Sequence, residues 1–185
     1  MKYLFVLCVA MSLSAIAEVP SDAVQFKLKR ISDGDTVVTT EDTRIHFWGI
    51  DTPERDQSYG SDATEALTVM LNDQQLYFET KDVDRYGRTA GVLCTADGSD
   101  VNLEMVCDGN AWRYERYAKK ASDCKQCQED AQRNNRGLWA NEDPVAPRDW
   151  KRIQLPRGLP LDYSPKPFAN SIKSDCTSTE DIWNL

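Results

Sequence analysis

The sequence predicts an α+β fold, with five short strands curled into a closed Greek-key barrel, three helices and an extended C-terminal tail. Three observations carry this. Apolar and polar residues alternate in five short runs. One stretch with helical apolar spacing stands between the third run and the fourth. Six of the eight prolines fall after Asp143, where periodicity fades, so regular structure is expected to give way there.

The chain opens with Lys2, an apolar run from Tyr3 to Leu13, and Ala15-Ile16-Ala17. That is the pattern of an export signal cleaved after Ala17, and the run is too short to span a bilayer. Gln25 to Ile31 alternates Phe26 and Leu28 with Lys27 and Lys29, a half-buried strand. Ser32 to Asp35 reads as a turn, and Thr36 to Thr40 as a β-branched strand. Glu41-Asp42 reverses the chain into a third strand, Thr43 to Ile50, where Ile45 and Phe47 share one face. Gly49 loosens that strand's end, and Pro53 forbids further pairing. Asp35 starts the second strand and Asp51 ends the third. In an antiparallel pair those ends are neighbours.

Ser61 to Asp73 follows as a helix, with Ala63, Ala66, Leu67, Met70 and Leu71 on one face and Asp62 with Glu65 resembling a capping box. Leu76 to Val83 and Arg88 to Thr95 are strands joined by the turn Asp84-Arg85-Tyr86-Gly87. Asp97-Gly98 turns the chain into a second helix, Asp100 to Asp108, closed by Gly109. A third helix runs from Ala118 to Asn135 and stops at Gly137. Five short strands around one helix fit a barrel of the OB type. The expected organisation is a signal at 1–17, one domain at 18–152 and a proline-rich tail at 153–185.

Net charge is −8, and −9 once Lys2 is removed with the signal. Acidity on this scale argues against non-specific, charge-driven nucleic-acid binding, yet permits an enzyme that recruits a divalent cation and keeps a local basic patch. His46 is the only histidine, which removes histidine-rich zinc sites, and no G-x-S-x-G elbow is present. Cys94, Cys107, Cys124, Cys127 and Cys176 follow the signal. Cys94 lies in a core strand and is expected to pack as a small hydrophobe. Disulfides are expected among the other four, with connectivity open.

Four motifs remain: D-G-D-T at Asp33 to Thr36, I-D-T-P-E at Ile50 to Glu54, D-R-Y-G-R at Asp84 to Arg88, and G-N-A-W-R-Y-E-R-Y at Gly109 to Tyr117 with G-L-W after it. In this order and spacing, from about Val24 to Asp143, the chain resembles the staphylococcal nuclease family. The resemblance implies a calcium-dependent phosphodiesterase that cleaves DNA or RNA to leave 3′-phosphate ends. It implies Ca²⁺ held by the carboxylates of Asp35 and Asp51 and the carbonyl of Thr52. Glu54 would hold or deprotonate the attacking water, and Arg88 would contact the phosphate. Tyr86 and Tyr117 would lie beside a bound nucleotide. Beside the resemblance, Arg85, Arg113, Arg116, Lys119 and Lys120 are candidates for a local basic patch, with a solvated face the preferred reading of Lys119 and Lys120. Trp112 and Tyr114 are expected to pack. A monomer, secreted or periplasmic and free of the membrane after cleavage, is expected.

The chemistry agrees. A phosphodiester is negatively charged, so attack requires a neutralising cation and a positioned water. One residue departs from the family pattern: His46 stands where the family places an arginine five residues before the second aspartate. Arg44 projects from the same strand face about 7 Å further along. Imidazole offers at most one well-aimed donor and carries full charge only below a pKa of about 6.5. Loss of an arginine clamp costs on the order of 10²–10³ in rate. The expectation is a slower nuclease, one favoured by mildly acidic pH, or one that uses Arg44. A non-catalytic OB module that only binds nucleic acid is the alternative.

Overall fold

The computed structural model describes residues 18–83, 88–117 and 122–154. The expected signal, the turn bearing Arg85 and Tyr86, residues 118–121 at the start of the expected third helix with Lys119 and Lys120, and the tail beyond 154 with Cys176 lie outside them. The elements are β1 (Val24–Phe26), β2 (Leu28–Asp33), β3 (Thr36–Thr39), β4 (Arg44–Phe47), β5 (Ile50–Asp51), α1 (Gly60–Leu71), β6 (Leu76–Val83), β7 (Thr89–Thr95), α2 (Val101–Cys107), β8 (Trp112–Arg113), α3 (Ser122–Arg133), a 3-10 turn (Gly137–Ala140) and α4 (Pro147–Gln154).

Six strands form one sheet in the order β1-β6-β7-β4-β3-β2, and β5 pairs with β8. β1 and β2 occupy opposite edges of that sheet although Lys27 alone separates them. Flat, six strands at about 4.8 Å spacing would hold those edges some 24 Å apart. One residue spans about 3.5 Å. The sheet therefore curls until its edges meet, which is the expected barrel. The first predicted strand serves both edges and is split at Lys27, whose carbonyl accepts from the Thr40 amide at 2.9 Å.

The third predicted strand is split as well. β4 pairs antiparallel with β3 and parallel with β7, and β5 leaves the barrel for β8. The break falls at Trp48-Gly49, where Gly49 adopts φ 79°, a conformation that costs glycine little. Buried Asn102 of α2 fixes it. Its amide donates to the carbonyls of Trp48 and Gly91, both at 3.0 Å, while its oxygen accepts from the Leu93 amide at 3.1 Å. A buried amide satisfied this fully specifies one geometry.

The core lies inside the barrel beneath α1 and α2. Leu67 of α1, Phe47, Leu93 and Met105 are almost wholly enclosed. Each contributes roughly 1.5–3 kcal/mol by burial. α1 buries Ala63, Leu67 and Leu71, the predicted stripe, but not by the predicted cap. Its N-cap is Tyr59, in a left-handed conformation without a side-chain cap, and Asp62 merely sits in the first turn. A second cluster of Ala131, Leu138 and Trp139 packs with Tyr59 and Trp112.

Among the described residues there are four α-helices rather than three. α4 lies where periodicity was weak, since seven of its eight residues are partly or fully solvated. It runs past the expected domain end at 152 to Gln154. Cys107 and Cys127 form a disulfide joining α2 to α3. Cys94 and Cys124 are buried thiols, pushed up by burial to about 12 and about 11. Such thiols are chemically quiet. Among the described residues no helix is long and apolar enough to cross a membrane.

Candidate active site

The Asp33-Gly34-Asp35 turn and the segment after β5 meet at one rim of the barrel. Asp35 Oδ2 accepts the Thr52 amide at 3.0 Å, and the Asp35 carbonyl accepts the Phe47 amide at 2.8 Å. The turn comes close because residue 34 has no side chain: a Cβ there would stand 3.0 Å from the Thr52 side chain. The predicted convergence of Asp35 and Asp51 is realised through this contact, with the Asp35 charge acting on Asp51.

Asp35 is buried, and burial alone would raise its carboxyl. The charge and hydrogen bond of His46 outweigh that and hold it below the ordinary carboxylate range. His46 Nδ1 lies 3.3 Å from Asp35 Oδ1 and 3.3 Å from Thr36 Oγ1, which itself donates to Asp35 Oδ1 at 3.0 Å. Burial would lower the imidazole, but Asp35 prevails and raises it. For Asp51 burial first, then the Asp35 charge, outweigh the opposing charges of Lys151 and His46 and push it up to about 7. Asp33 is raised to about 6 by burial and Asp35, and its Oδ1 accepts the Asp35 amide at 3.4 Å in the expected turn role.

Glu54 stands at the outer edge of this rim. Its amide donates to Gln57 Oε1 at 3.1 Å, and its carboxylate meets Lys151 Nζ of α4 at 2.6 Å. Burial would lower the Lys151 ammonium, but Glu54, followed by Asp51 and Asp35, raises it. Arg88 is exposed just ahead of β7, close enough for its charge to act on His46. Arg44 is exposed on β4, two residues before His46.

Tyr117 packs in a tilted arrangement against Trp48, with ring centroids 4.3 Å apart, and against Tyr114 at 5.3 Å, with Arg116 over its ring at 5.9 Å. Tyr114 packs as expected, and Trp112 sits edge-on to Trp139 at 4.3 Å. Arg113 departs from the expected basic patch: its guanidinium is largely buried and pairs with Glu115 at 3.2 Å. The sequence reading missed Lys151, Gln57 and Trp48. Trp48 follows Phe47 on the strand of His46 and offered a signal. Lys151 offered none, because it reaches Glu54 only through the fold.

Among the described residues no three Asp, Glu, His or Cys side chains converge as a ready-made metal cage. The donors at hand are the carboxylates of Asp35 and Asp51 and the Thr52 carbonyl, all hard oxygen, with water to complete a shell. They fit a hard divalent cation. Burial and the Asp35 charge raise the Asp51 carboxyl, as closely placed buried carboxylates do, against the opposing charges of Lys151 and His46.

A family model described as staphylococcal nuclease homologue matches residues 44–141. The chain is 34% identical to a micrococcal nuclease of Shigella flexneri, over 78% of this chain and 90% of that protein. It is 32% identical to an uncharacterized endonuclease of Haemophilus influenzae, over 79% and 83%. A probable staphylococcal-like nuclease of Oryza sativa subsp. japonica is 39% identical over 59% of this chain and 32% of its own length.

Proposed function

Because the chain belongs to the staphylococcal nuclease family and is a nuclease, we propose that it is an exported, calcium-dependent endonuclease that cleaves DNA or RNA to 3′-phosphate ends. One observation carries the reading: the Asp35 carboxylate receives the Thr52 amide at 3.0 Å, bringing the two acidic segments to one rim. Export rests on the apolar run from Tyr3 to Leu13 followed by Ala15-Ile16-Ala17. The protein acts as a monomer.

Asp35, Asp51 and the Thr52 carbonyl would hold the calcium ion, which when bound supplies positive charge to the phosphate oxygens. Glu54 takes the proton from a water in line with the P–O5′ bond. The new P–O bond forms as P–O5′ breaks, which leaves the phosphate on the 3′ side, and the departing oxygen is protonated from solvent. Arg88 offers its guanidinium to the non-bridging oxygens. Tyr117, packed against Trp48 and Tyr114, would meet the bound nucleotide through its hydroxyl, by a hydrogen bond to a phosphate.

The test is cleavage of a DNA and an RNA oligonucleotide by the protein in Ca²⁺ and in EDTA, with product ends identified by mass. Cleavage in Ca²⁺ alone, giving 3′-phosphates, is expected. Glu54→Gln is expected to lower the rate by about 10²–10⁴-fold while substrate binding persists. Metal-free cleavage, or an undiminished Glu54→Gln, would overturn the assignment.

A further inference from the structure

Three neighbouring residues of the loop after β5 are each held by the C-terminal segment. Lys151 Nζ meets Glu54 at 2.6 Å, Gln154 Nε2 donates to Asp56 Oδ2 at 3.3 Å, and Gln57 Nε2 donates to the Val145 carbonyl at 2.5 Å. Buried Pro147 seats α4 between these ties. α4 is thus part of the active-site wall, although it lies beyond the four sequence motifs.

Its cation is well placed for the reaction. The Lys151 side chain is 59% exposed, so its ammonium borders both Glu54 and solvent. On β4, the imidazole of His46 is engaged with Asp35 and Thr36 through Nδ1. A polyanionic substrate entering a rim that carries Asp33, Asp35, Asp51 and Glu54 requires positive charge near the phosphate. Lysine suits this, since a compact ammonium on a four-carbon stem can pass from a carboxylate to a phosphate oxygen without backbone movement.

We propose that Lys151 is a further catalytic residue, which pairs with Glu54 in the free protein and turns its ammonium onto a non-bridging oxygen of the scissile phosphodiester when substrate enters. It thereby supplies a cation that strand β4 withholds by committing His46 to Asp35. The exchange frees the Glu54 carboxylate to meet the attacking water as the phosphate arrives. This inference rests on the assignment of Glu54 and its neighbours as the nuclease site.

The test compares wild type with Lys151→Met, Lys151→Arg and Gln154→Ala in steady-state and single-turnover cleavage of a DNA oligonucleotide, alongside thermal melting. Lys151→Met is expected to lower kcat/KM by about 30-fold, mainly through kcat, and Lys151→Arg to recover to within about threefold of wild type. Gln154→Ala, which loosens the same helix without removing the charge, is expected to stay within about twofold. Melting points of the Lys151 variants are expected to match wild type, because an exposed ion pair adds little stability. The proposal is overturned if Lys151→Met cleaves as wild type, if arginine rescues no better than methionine, or if Gln154→Ala is equally damaging. A wild-type protein inactive in every divalent cation overturns the site assignment and this inference with it.

Discussion

His46 Nδ1 stands 3.3 Å from Asp35 Oδ1, so the chain's only histidine is paired with a carboxylate assigned to the metal. The pair raises the imidazole and lowers the carboxyl. A raised imidazole adds stability that is complete below its unfolded value of about 6.5 and lost as pH rises through the folded value. The lowered carboxyl adds stability that is lost only as strong acid protonates it. Metal-free wild type is therefore expected to be more stable than His46→Gln at pH 5.5, with a smaller gap at pH 9. Urea melts at both values check this, and an equal gap at both would refute it.

The same pairing sets the expectation for His46→Arg. An arginine is longer, and its fork can hold Asp35 while offering a second N–H toward the open rim. Cleavage is expected to rise about tenfold. An unchanged rate in a plasmid-degradation assay would show that this position does not limit the reaction.

Asp51 has the opposite sign from Asp35. Its carboxyl is raised to about 7, so the folded protein binds a proton that the unfolded chain has already released. Metal-free stability should therefore fall as pH rises from about 4 to 7, by on the order of 2 kcal/mol from this residue. Asp51→Asn is expected to flatten that slope and to abolish stabilisation by added Ca²⁺. Thermal melting across pH, with and without Ca²⁺, measures both. If Ca²⁺ protected the variant as fully as wild type, Asp51 would not be a ligand.

Gly60 controls the position of Glu54. A Cβ on Gly60 would fall 1.9 Å from the Glu54 carbonyl oxygen, a backbone atom that can yield only by moving the loop. Gly60→Ala is expected to cost about 1–3 kcal/mol of stability and to lower cleavage about tenfold or more. Denaturant melts with cleavage rates decide it. A variant that lost stability but kept full activity would show that the loop tolerates the shift.

The Cys107–Cys127 bond closes a 20-residue separation between α2 and α3. A double Cys→Ser replacement is expected to cost about 3 kcal/mol, chiefly by freeing the unfolded chain. The measurement is urea denaturation of both forms, with reductant expected to bring wild type to the level of the variant. Equal stability of oxidised wild type and double variant would count against it.

Much of this protein was determined by its sequence. β6, α1 and α2 follow from alternation, an apolar stripe, and turn signals such as Asp97-Gly98, all set by near neighbours in the chain. The ordered motifs around Asp35, Asp51 and Glu54 identified the rim, because a strand end joined to a proline loop fixes those side chains locally. Tertiary structure alone decided the rest. One strand was divided between two sheet edges by barrel closure, and another was broken at Trp48-Gly49 where Asn102 locks the backbone. His46 turned to Asp35 because registry sets it opposite Thr36. The Glu54 loop gained a cationic wall from a helix tied to it across 88 and 98 residues of sequence. Such contacts leave no periodic trace, since each depends on where distant segments come to rest rather than on what lies beside them in the chain.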